Sequence, residues 1–231
     1  MKTLLETPVG EIVTQNFKTA DVFTHYGIDF CCGGQITLSE ACSSSGCDVS
    51  VVAQKLEALN NQSIALSHDF NSWNLVFLAD FIINTHHQFV KTTIPQILPL
   101  TQKVAQVHGN NHPELIQINE LFQRLANDMV AHMQKEEQIL FPLIKQLYNQ
   151  QKQGEIVTGN ANGPIQVMML EHDEAGQILK EISKLSSNYK LPEDACNTYI
   201  VCYSKLKEFE DDLHRHIHLE NNILFPKTLA I

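Results

Sequence analysis

Apolar residues recur at intervals of three and four along most of the chain, which is the spacing of one face of an α-helix. No segment alternates between β-branched or aromatic residues and polar residues over the length of a strand. The pattern therefore predicts an all-α protein. Prolines, glycines and polar stretches divide it into several short amphipathic segments followed by four long ones.

The first 60 residues predict a small helical N-terminal domain. Four short helices are expected. The first begins at Thr7-Pro8, the second extends from Ala20 to Tyr26, the third begins at Thr37, and the fourth extends from Asp48 to Leu59. The third begins with a capping box, because Thr37 is followed three residues later by Glu40. Residues 61–72 are polar and predict a linker, so residues 73–231 form the second domain.

The second domain contains four long predicted helices, A to D. Helix A extends from about Trp73 past Val90, with Pro95 and Pro99 bending or breaking its far end. The other three are expected from His112 to about Gln150, from Pro164 to about Ser187, and from Pro192 past Glu220. Four long helices joined by short or moderate loops predict an up-down bundle.

Composition excludes several partners. The chain has 231 residues, with 16 Lys+Arg against 26 Asp+Glu, a formal charge of −10. Such an acidic chain without a basic run is a poor ligand for nucleic acid or an anionic membrane surface. No run approaches the roughly 20 apolar residues of a membrane span, and the first residues lack the apolar core of a signal peptide. We therefore expect a cytoplasmic protein with no membrane or nucleic-acid partner.

Helices B and D carry the same phrase. It begins with a His-x-x-x-Glu pair, His132 and Glu136 in helix B and His216 and Glu220 in helix D, and each copy ends in Ile-Leu-Phe-Pro. The pairs lie in the apolar stripe of their helices, whose members are Leu125, Met129, His132, Glu136, Ile139 and Leu143 in B, and Phe209, Leu213, His216, Glu220 and Ile223 in D. A carboxylate in an apolar seam is costly unless it is paired or bound to metal.

The other two helices each place a histidine in the same kind of stripe. His87 lies on the stripe of helix A that contains Ile83, Val90, Ile94 and Ile97, whereas the adjacent His86 lies on a weaker one. His172 lies on the stripe of helix C that contains Ile165, Met168, Ala175, Leu179 and Ile182. A lone seam histidine is usually a satisfied core residue, but one in every bundle helix favours metal ligation.

Further histidines have other interpretations. His214 and His218 are expected on the solvent face of helix D, away from His216. His108 lies 21 residues after His87, about 31 Å along a straight helix, and reaches the site only if the prolines fold the chain back.

The predicted ligands are thus four histidines and two glutamates: His87, His132, Glu136, His172, His216 and Glu220. A carboxylate can bridge two metals, so this number suits two ions with open positions. Imidazole and carboxylate donors suit iron, manganese or zinc, and spacing alone does not choose among them. The Glu-x-x-His pairs of ferritin-like sites and the His-Glu-x-x-His zinc-protease motif are absent.

These residues resemble the hemerythrin-like four-helix di-iron domain. The N-terminal run from Asp29 through Cys31-Cys32-Gly33-Gly34 resembles the leading domain of the bacterial iron-sulfur cluster repair di-iron proteins. The phrases around His108, His172 and Glu220 are similar to that family as well. The resemblance covers nearly the whole chain.

The resemblance implies a cytoplasmic stress-response protein that restores iron-sulfur clusters damaged by nitric oxide or peroxide, with iron donation as its expected activity. It implies two non-haem iron ions bridged by Glu136 and Glu220, damaged iron-sulfur proteins as partners, nitric oxide or oxygen as small ligands, and a homodimer. Nitric oxide reduction, or oxygen or nitric oxide sensing or storage, remains the alternative, so enzymatic activity stays open. Gly176 occupies the place of the fifth histidine of oxygen-carrying hemerythrins, which argues against plain oxygen storage.

Six cysteines are present, and a reducing cytosol disfavours structural disulfides. Cys31 and Cys32 are either small buried residues before a glycine turn or an exposed, mobile thiol pair that relays iron or electrons. The remaining cysteines are expected to be structural: Cys42, Cys47, Cys196 and Cys202.

Overall fold

A computed structural model describes residues 3–60 and 69–231. Regular structure within these ranges is helical, apart from one isolated antiparallel bridge between Pro8 and Thr37. The predicted all-α class is therefore confirmed. None of the helices in the described ranges combines the length and the apolar character that a membrane crossing requires.

The N-terminal region contains four short α-helices, close to the predicted positions. They are α1 (Val9–Gln15), α2 (Thr19–His25), α3 (Leu38–Ser45) and α4 (Val49–Asn60), preceded by a 3₁₀ turn at Leu4–Glu6. The predicted capping box is present: the Thr37 side chain accepts from the Glu40 amide at 3.3 Å, and the Glu40 carboxylate accepts from the Thr37 amide at 2.9 Å.

Four long helices follow, and three of them contain a π-helical turn. Helix A is α5 (Leu75–Ile82), a π segment (Ile83–His87) and α6 (Gln88–His108). Helix B is α7 (Glu114–Lys135), a π segment (Glu136–Leu140) and α8 (Phe141–Gln153). Helix C is α9 (Asn162–Leu185), and helix D is α10 (Asn197–Leu219), a π segment (Glu220–Leu224) and α11 (Phe225–Leu229).

The π segments change which residues face the core. A π turn holds more residues than an α turn, so the side chains that follow it are rotated relative to an unbroken α-helix. The seam predicted for helix B therefore fails after Glu136: Ile139 is 60 % exposed, whereas Leu140 and Phe141 are buried. In helix A the buried residue is Ile82 rather than the predicted Ile83.

The prolines of helix A do not break it. α6 continues through Pro95 and Pro99, both on the exposed face, where water can satisfy the carbonyl groups that proline leaves unbonded. Helix D begins later than predicted, at Asn197 instead of Pro192. The preceding connection contains a left-handed stretch, Ser187 to Tyr189, with φ between 51° and 59°, and this turn separates helix C from helix D.

The predicted linker, 61–72, is only partly described. Residues 61–68 lie outside the described residues. Asp69 caps a 3₁₀ turn at Phe70–Ser72, so the end of the predicted linker is ordered. The Phe70 side chain is buried and its ring meets that of Phe17 edge-on, with centroids 4.9 Å apart.

The apolar core consists of two clusters. One is formed by the N-terminal helices with α6, α7 and the parts of helices C and D beside them, and it includes Phe23, Phe122 and Phe209. The other is formed by α5, α8, the start of helix C and the end of helix D, including Phe141 and Phe225. A layer of buried histidines and glutamates lies between the clusters along each bundle helix.

The N-terminal domain docks on helix D through its Cys-Cys-Gly-Gly loop. The Asn222 amide donates to the backbone carbonyls of Phe30 at 3.4 Å and Cys31 at 3.1 Å. The Gly10 amide donates to the Gly34 carbonyl at 2.8 Å, which draws α1 against the loop. A Cβ at Gly34 would lie 2.8 Å from both Asn222 Oδ1 and the Phe30 carbonyl oxygen, so the loop fits only with glycine here.

Gly34→Ala should therefore lower the free energy of unfolding by about 1–3 kcal/mol, because backbone atoms must shift to admit the methyl group. Urea unfolding measures the change. Gly163→Ala is the matched control, since a Cβ at Gly163 in helix C meets no atom within 4 Å. Equal effects of the two substitutions would show that the loop is not tightly packed.

One buried acid lies outside the polar layer. Glu210 of helix D is 7 % exposed, and burial, opposed by Lys207 and reinforced by Asp211, raises the pKa of its carboxyl from 4.5 to about 7. The unfolded chain therefore releases this proton at lower pH than the folded protein does. The free energy of unfolding therefore decreases as the pH rises from about 4.5 to 7, because Glu210 ionises more readily in the unfolded chain.

Glu210→Gln, which keeps the neutral form, should raise the free energy of unfolding at pH 8 by about 1–3 kcal/mol. The gain should disappear near pH 4.5, where the parent carboxyl is protonated in the folded state. Urea unfolding at the two pH values tests this, with Glu208→Gln on the exposed face of the same helix as control. A gain of equal size at both pH values would contradict the assignment.

Candidate metal centre

The six predicted ligands lie together in the layer that divides the core. One histidine comes from each bundle helix, and the two carboxylates come from helices B and D. All six are nearly or completely buried: His87, His132, Glu136, His172, His216 and Glu220. The π segment of helix A ends at His87, and the π segments of helices B and D begin at Glu136 and Glu220.

The layer forms two donor sets that share both carboxylates. The first set is His87, Glu136, His216 and Glu220, and the second is His132, Glu136, His172 and Glu220. Within each set, one ligand atom from every residue lies within 4.8 Å of the others. Four donors per set leave coordination positions open for an ion that prefers five or six ligands.

Each carboxylate spans the two sets. Glu220 places Oε1 3.0 Å from His216 Nε2 and Oε2 3.1 Å from His172 Nε2. Glu136 Oε2 lies 3.3 Å from Nε2 of both His87 and His132. This arrangement is what a carboxylate needs to bridge two cations.

Several buried atoms of the layer fit a bound cation. Within the described residues, both carboxylate oxygens of Glu136, Oε2 of Glu220 and Nε2 of His87 have no hydrogen-bond partner. The Nε2 atoms of His132 and His172 face each other at 3.0 Å, a contact that needs either a proton on one of them or a cation between them. Buried polar atoms are normally satisfied, so this donor set fits a metal.

The carboxylates of the layer remain ionised. Burial and the neighbouring Glu220 raise the pKa of Glu136, but the charge of His132 and the close Nε2 atoms of His132 and His87 outweigh them and lower it to about 2. Burial likewise opposes ionisation of Glu220, yet His216 and His172 hold its pKa well below its ordinary value. Two negative charges are therefore available to cations in this layer.

Three of the four histidines also make a hydrogen bond on the side away from the layer. The Nδ1 atoms of His87, His132 and His172 contact Glu137 at 2.7 Å, Glu171 at 2.9 Å and Asn221 at 2.8 Å. Since a carboxylate only accepts, Nδ1 carries the proton opposite Glu137 and Glu171, so the neutral ring of His87 or His132 would present the Nε2 lone pair to a cation in the layer. Lys91 and Lys135 bind Glu137 and Glu171 in turn.

These outer contacts were not predicted from the sequence, although the repeat contained a signal for them. Glu137 and Asn221 occupy the same place in the two copies, directly after the glutamate of each His-x-x-x-Glu pair. Each is the hydrogen-bond partner of the histidine on the preceding bundle helix. A polar residue at the same repeat position in both copies was thus the available indication.

The prediction that His218 lies on the solvent face was wrong. His218 is completely buried, with Nδ1 3.3 Å from the Phe30 carbonyl oxygen, and its ring packs against Phe17 and Phe30. His214 is half-buried beside Phe30. The N-terminal domain covers this face of helix D, which an isolated bundle would expose.

His108 lies at the opposite end of helix A from the layer. Its Nε2 is 3.3 Å from Sγ of Cys196, the residue that caps helix D. Cys196 is exposed rather than structural, and hydrogen bonding from the Tyr199 backbone together with His108 lowers its pKa to about 7. His108 is therefore not a member of either donor set.

The Cys31-Cys32 pair is docked against the bundle instead of lying exposed. Cys31 is 3 % exposed and Cys32 is half-buried, with their sulfurs 3.9 Å apart. Asp29 Oδ1 accepts from the amides of both cysteines, at 2.9 and 3.0 Å, which shapes the loop. Hydrogen bonding to Cys32 and burial raise the pKa of the Cys31 thiol well above its ordinary value.

Cys32 lies directly over helix C at its metal-layer histidine. Its Sγ is 3.4 Å from the backbone carbonyl oxygen of His172. A Cβ at Gly176 would lie 3.3 Å from the same sulfur, which is a tight contact. The place of the fifth histidine therefore lies directly beside the docked Cys32 side chain.

Comparison with known proteins agrees with this geometry. Residues 79–228 match the family described as the Hemerythrin HHE cation binding domain, and residues 5–60 match ScdA_N, a domain of unknown function. The chain is 35 % identical to the iron-sulfur cluster repair protein ScdA of Staphylococcus haemolyticus over 227 residues, covering 96 % of this chain and 97 % of that one. It is 37 % identical to the iron-sulfur cluster repair protein YtfE of Escherichia coli O8 over 225 residues, 97 % of each.

The fold and the buried donor layer define a hemerythrin-like, metal-binding four-helix bundle. With its ScdA_N domain and its full-length similarity to both relatives, the chain belongs to the family of iron-sulfur cluster repair proteins. The predicted fold and family are therefore confirmed.

Replacing Glu136 and Glu220 together by Gln removes the two negative charges that both donor sets share, so the metal content per chain should fall to about half of the parental value or less. Metal analysis with visible and Mössbauer spectra of iron-loaded protein measures the loss. Glu120→Gln, on the exposed face of α7, should change neither. A double variant with full iron content and an unchanged spectrum would refute the ligand assignment.

Proposed function

We propose that the protein restores damaged iron-sulfur clusters by supplying iron stored in the buried layer. Each donor set would hold one iron ion, and Glu136 and Glu220 belong to both sets. The names of the relatives and the hemerythrin domain support this proposal. In this scheme the bundle, residues 73–231, stores iron, and the N-terminal domain, residues 1–60, hands it on.

The contact between Cys32 and His172 carries the proposal. It places a thiol against the backbone of a residue in the donor layer, although the two are 140 positions apart in the chain. A cleft of about 1200 Å³ between the N-terminal domain and the bundle is lined by Asp29, Cys31 and His214 among others. Cys32 therefore contacts the donor layer, and the adjacent Cys31 borders a space large enough for part of a client protein.

Thiolate sulfur suits a transfer position because it binds ferrous iron and is also the usual ligand of iron-sulfur clusters. The Cys31 and Cys32 thiols are adjacent, and each gives up its proton when it takes a cation. We therefore assign Cys31 and Cys32 as the relay that receives iron leaving the layer and presents it in the cleft.

Reduction of nitric oxide at the same layer is the second candidate function. A cavity of about 130 Å³ reaches His132 and is lined by Glu171, Met129 and Ala175 among others, which is enough space for a diatomic gas. Release of nitrous oxide from nitric oxide by iron-loaded protein with a reductant would support this activity. Reactivation of a damaged cluster by the same protein without nitric oxide supports iron supply instead.

Cys31→Ser combined with Cys32→Ser should leave iron content and spectrum intact but slow the reactivation of a damaged iron-sulfur enzyme. The physical reason is the loss of the soft donors between the layer and the cleft. The parent protein and the variants are loaded with equal amounts of iron before the time course is measured. Cys47→Ser, a half-buried thiol lining the same cleft, should react at the parental rate. Equal rates for all three proteins would reduce the pair to packing residues.

A further inference from the structure

The helix pairs A–B and C–D carry equivalent parts of the layer. His87 corresponds to His172, His132 to His216, and Glu136 to Glu220. The outer contacts follow the same correspondence, because Glu137 binds His87 just as Asn221 binds His172. The two halves can therefore be compared position by position.

The comparison fails at one contact. His132 Nδ1 bonds Glu171, the residue that directly precedes His172 in helix C. The equivalent residue in helix A is His86, which directly precedes His87. By equivalence, His86 should accept a hydrogen bond from Nδ1 of His216.

His86 makes a different contact. Its Nδ1 lies 3.0 Å from Asp212 Oδ1, and its ring lies nearly parallel to that of His216, with centroids 5.7 Å apart and planes at 11°. His216 Nδ1 consequently stays buried with no hydrogen-bond partner within the part of the chain that the structure describes. Among the four layer histidines, His216 is the one without an outer contact in that part.

Outer contacts matter to metal affinity. A partner on Nδ1 fixes the tautomer and orientation of the imidazole and makes Nε2 a better donor, and loss of one such partner typically costs about 10- to 100-fold in affinity. The set with His132 and His172 has two such partners. The set with His87 and His216 has one.

We propose that the two donor sets are unequal, and that the set with His87 and His216 holds its ion about 10- to 100-fold more weakly. On the proposed function, this is the ion that the protein gives away, while the ion between His132 and His172 stays and keeps Glu136 and Glu220 neutralised. The inequality concerns affinity at equilibrium. A cavity reaches His132 of the other donor set, so rates of release depend on access as well as on affinity, and the test therefore measures affinities.

The experiment is an equilibrium titration of the metal-free full-length protein with Co²⁺, followed by its visible absorption. Two classes of site are expected, separated by about 10- to 100-fold in affinity. Crystals grown with one Co²⁺ per chain should show anomalous signal between His132 and His172. A single class of site, or first occupation between His87 and His216, would overturn the proposal.

Two variants test whether the outer hydrogen bonds cause the difference in affinity between the two donor sets. His86→Gln offers an amide oxygen to His216 and an amide N–H to Asp212, so the weaker class should tighten by about 10-fold or more. Asn221→Ala removes the partner of His172, so the tighter class should weaken by about 10-fold or more. Asn222→Ala, the next residue in the same π segment, contacts the N-terminal domain instead and is the matched control.

If the affinity of the weaker Co²⁺ site is unchanged in His86→Gln, the missing partner of His216 is not the cause of the inequality. This result can be read even where Asn221→Ala misfolds. Failure of the proposed function has a different signature. Protein with two unequal Co²⁺ classes that does not reactivate a damaged iron-sulfur enzyme would refute iron supply and leave the inequality in place. Protein that reactivates the enzyme but shows one class would refute the inequality alone.

Discussion

Two carboxylates buried in the middle of a helical bundle are the constraint on which the rest of this structure depends. Glu136 and Glu220 are completely buried between two apolar clusters, where an unpaired charge costs several kcal/mol. Four histidines from four helices surround them, and the deficit of hydrogen bonds among the facing atoms calls for cations. Cations bound in this layer would therefore stabilise the bundle.

The π segment of helix D connects this layer to the rest of the molecule. Three consecutive residues there serve three different tasks: Glu220 belongs to the layer, Asn221 holds His172, and Asn222 holds the Cys-Cys loop. In this segment the successive side chains reach the bundle interior, a neighbouring helix and the N-terminal domain. The position of the thiols is therefore coupled through a single turn to the ligands of the layer.

Much of the layer could be predicted because it breaks a pattern. His132, Glu136, His216 and Glu220 occupy apolar seam positions in two copies of one phrase, and polar residues in such positions need a reason. In helix B the seam could be followed only as far as the π turn, whereas Val90 of helix A and Ile223 of helix D are buried as predicted. Beyond Glu136 the period changes, so Ile139 was expected in the core and lies in solvent. Periodicity assumes one helical pitch, and a π turn is stabilised by contacts that a single helix does not contain.

The sequence by itself determined the all-α class, the capping box at Thr37 and the six residues of the layer. These follow from local preferences and from the cost of burying charge, both of which act within a helix. Tertiary structure decided which faces were covered. His218 and Cys31 are buried because the N-terminal domain packs on helix D. His216 has no outer partner among the described residues because His86 contacts Asp212 instead. Such contacts join residues far apart in the chain, and no local pattern specifies the distance between them.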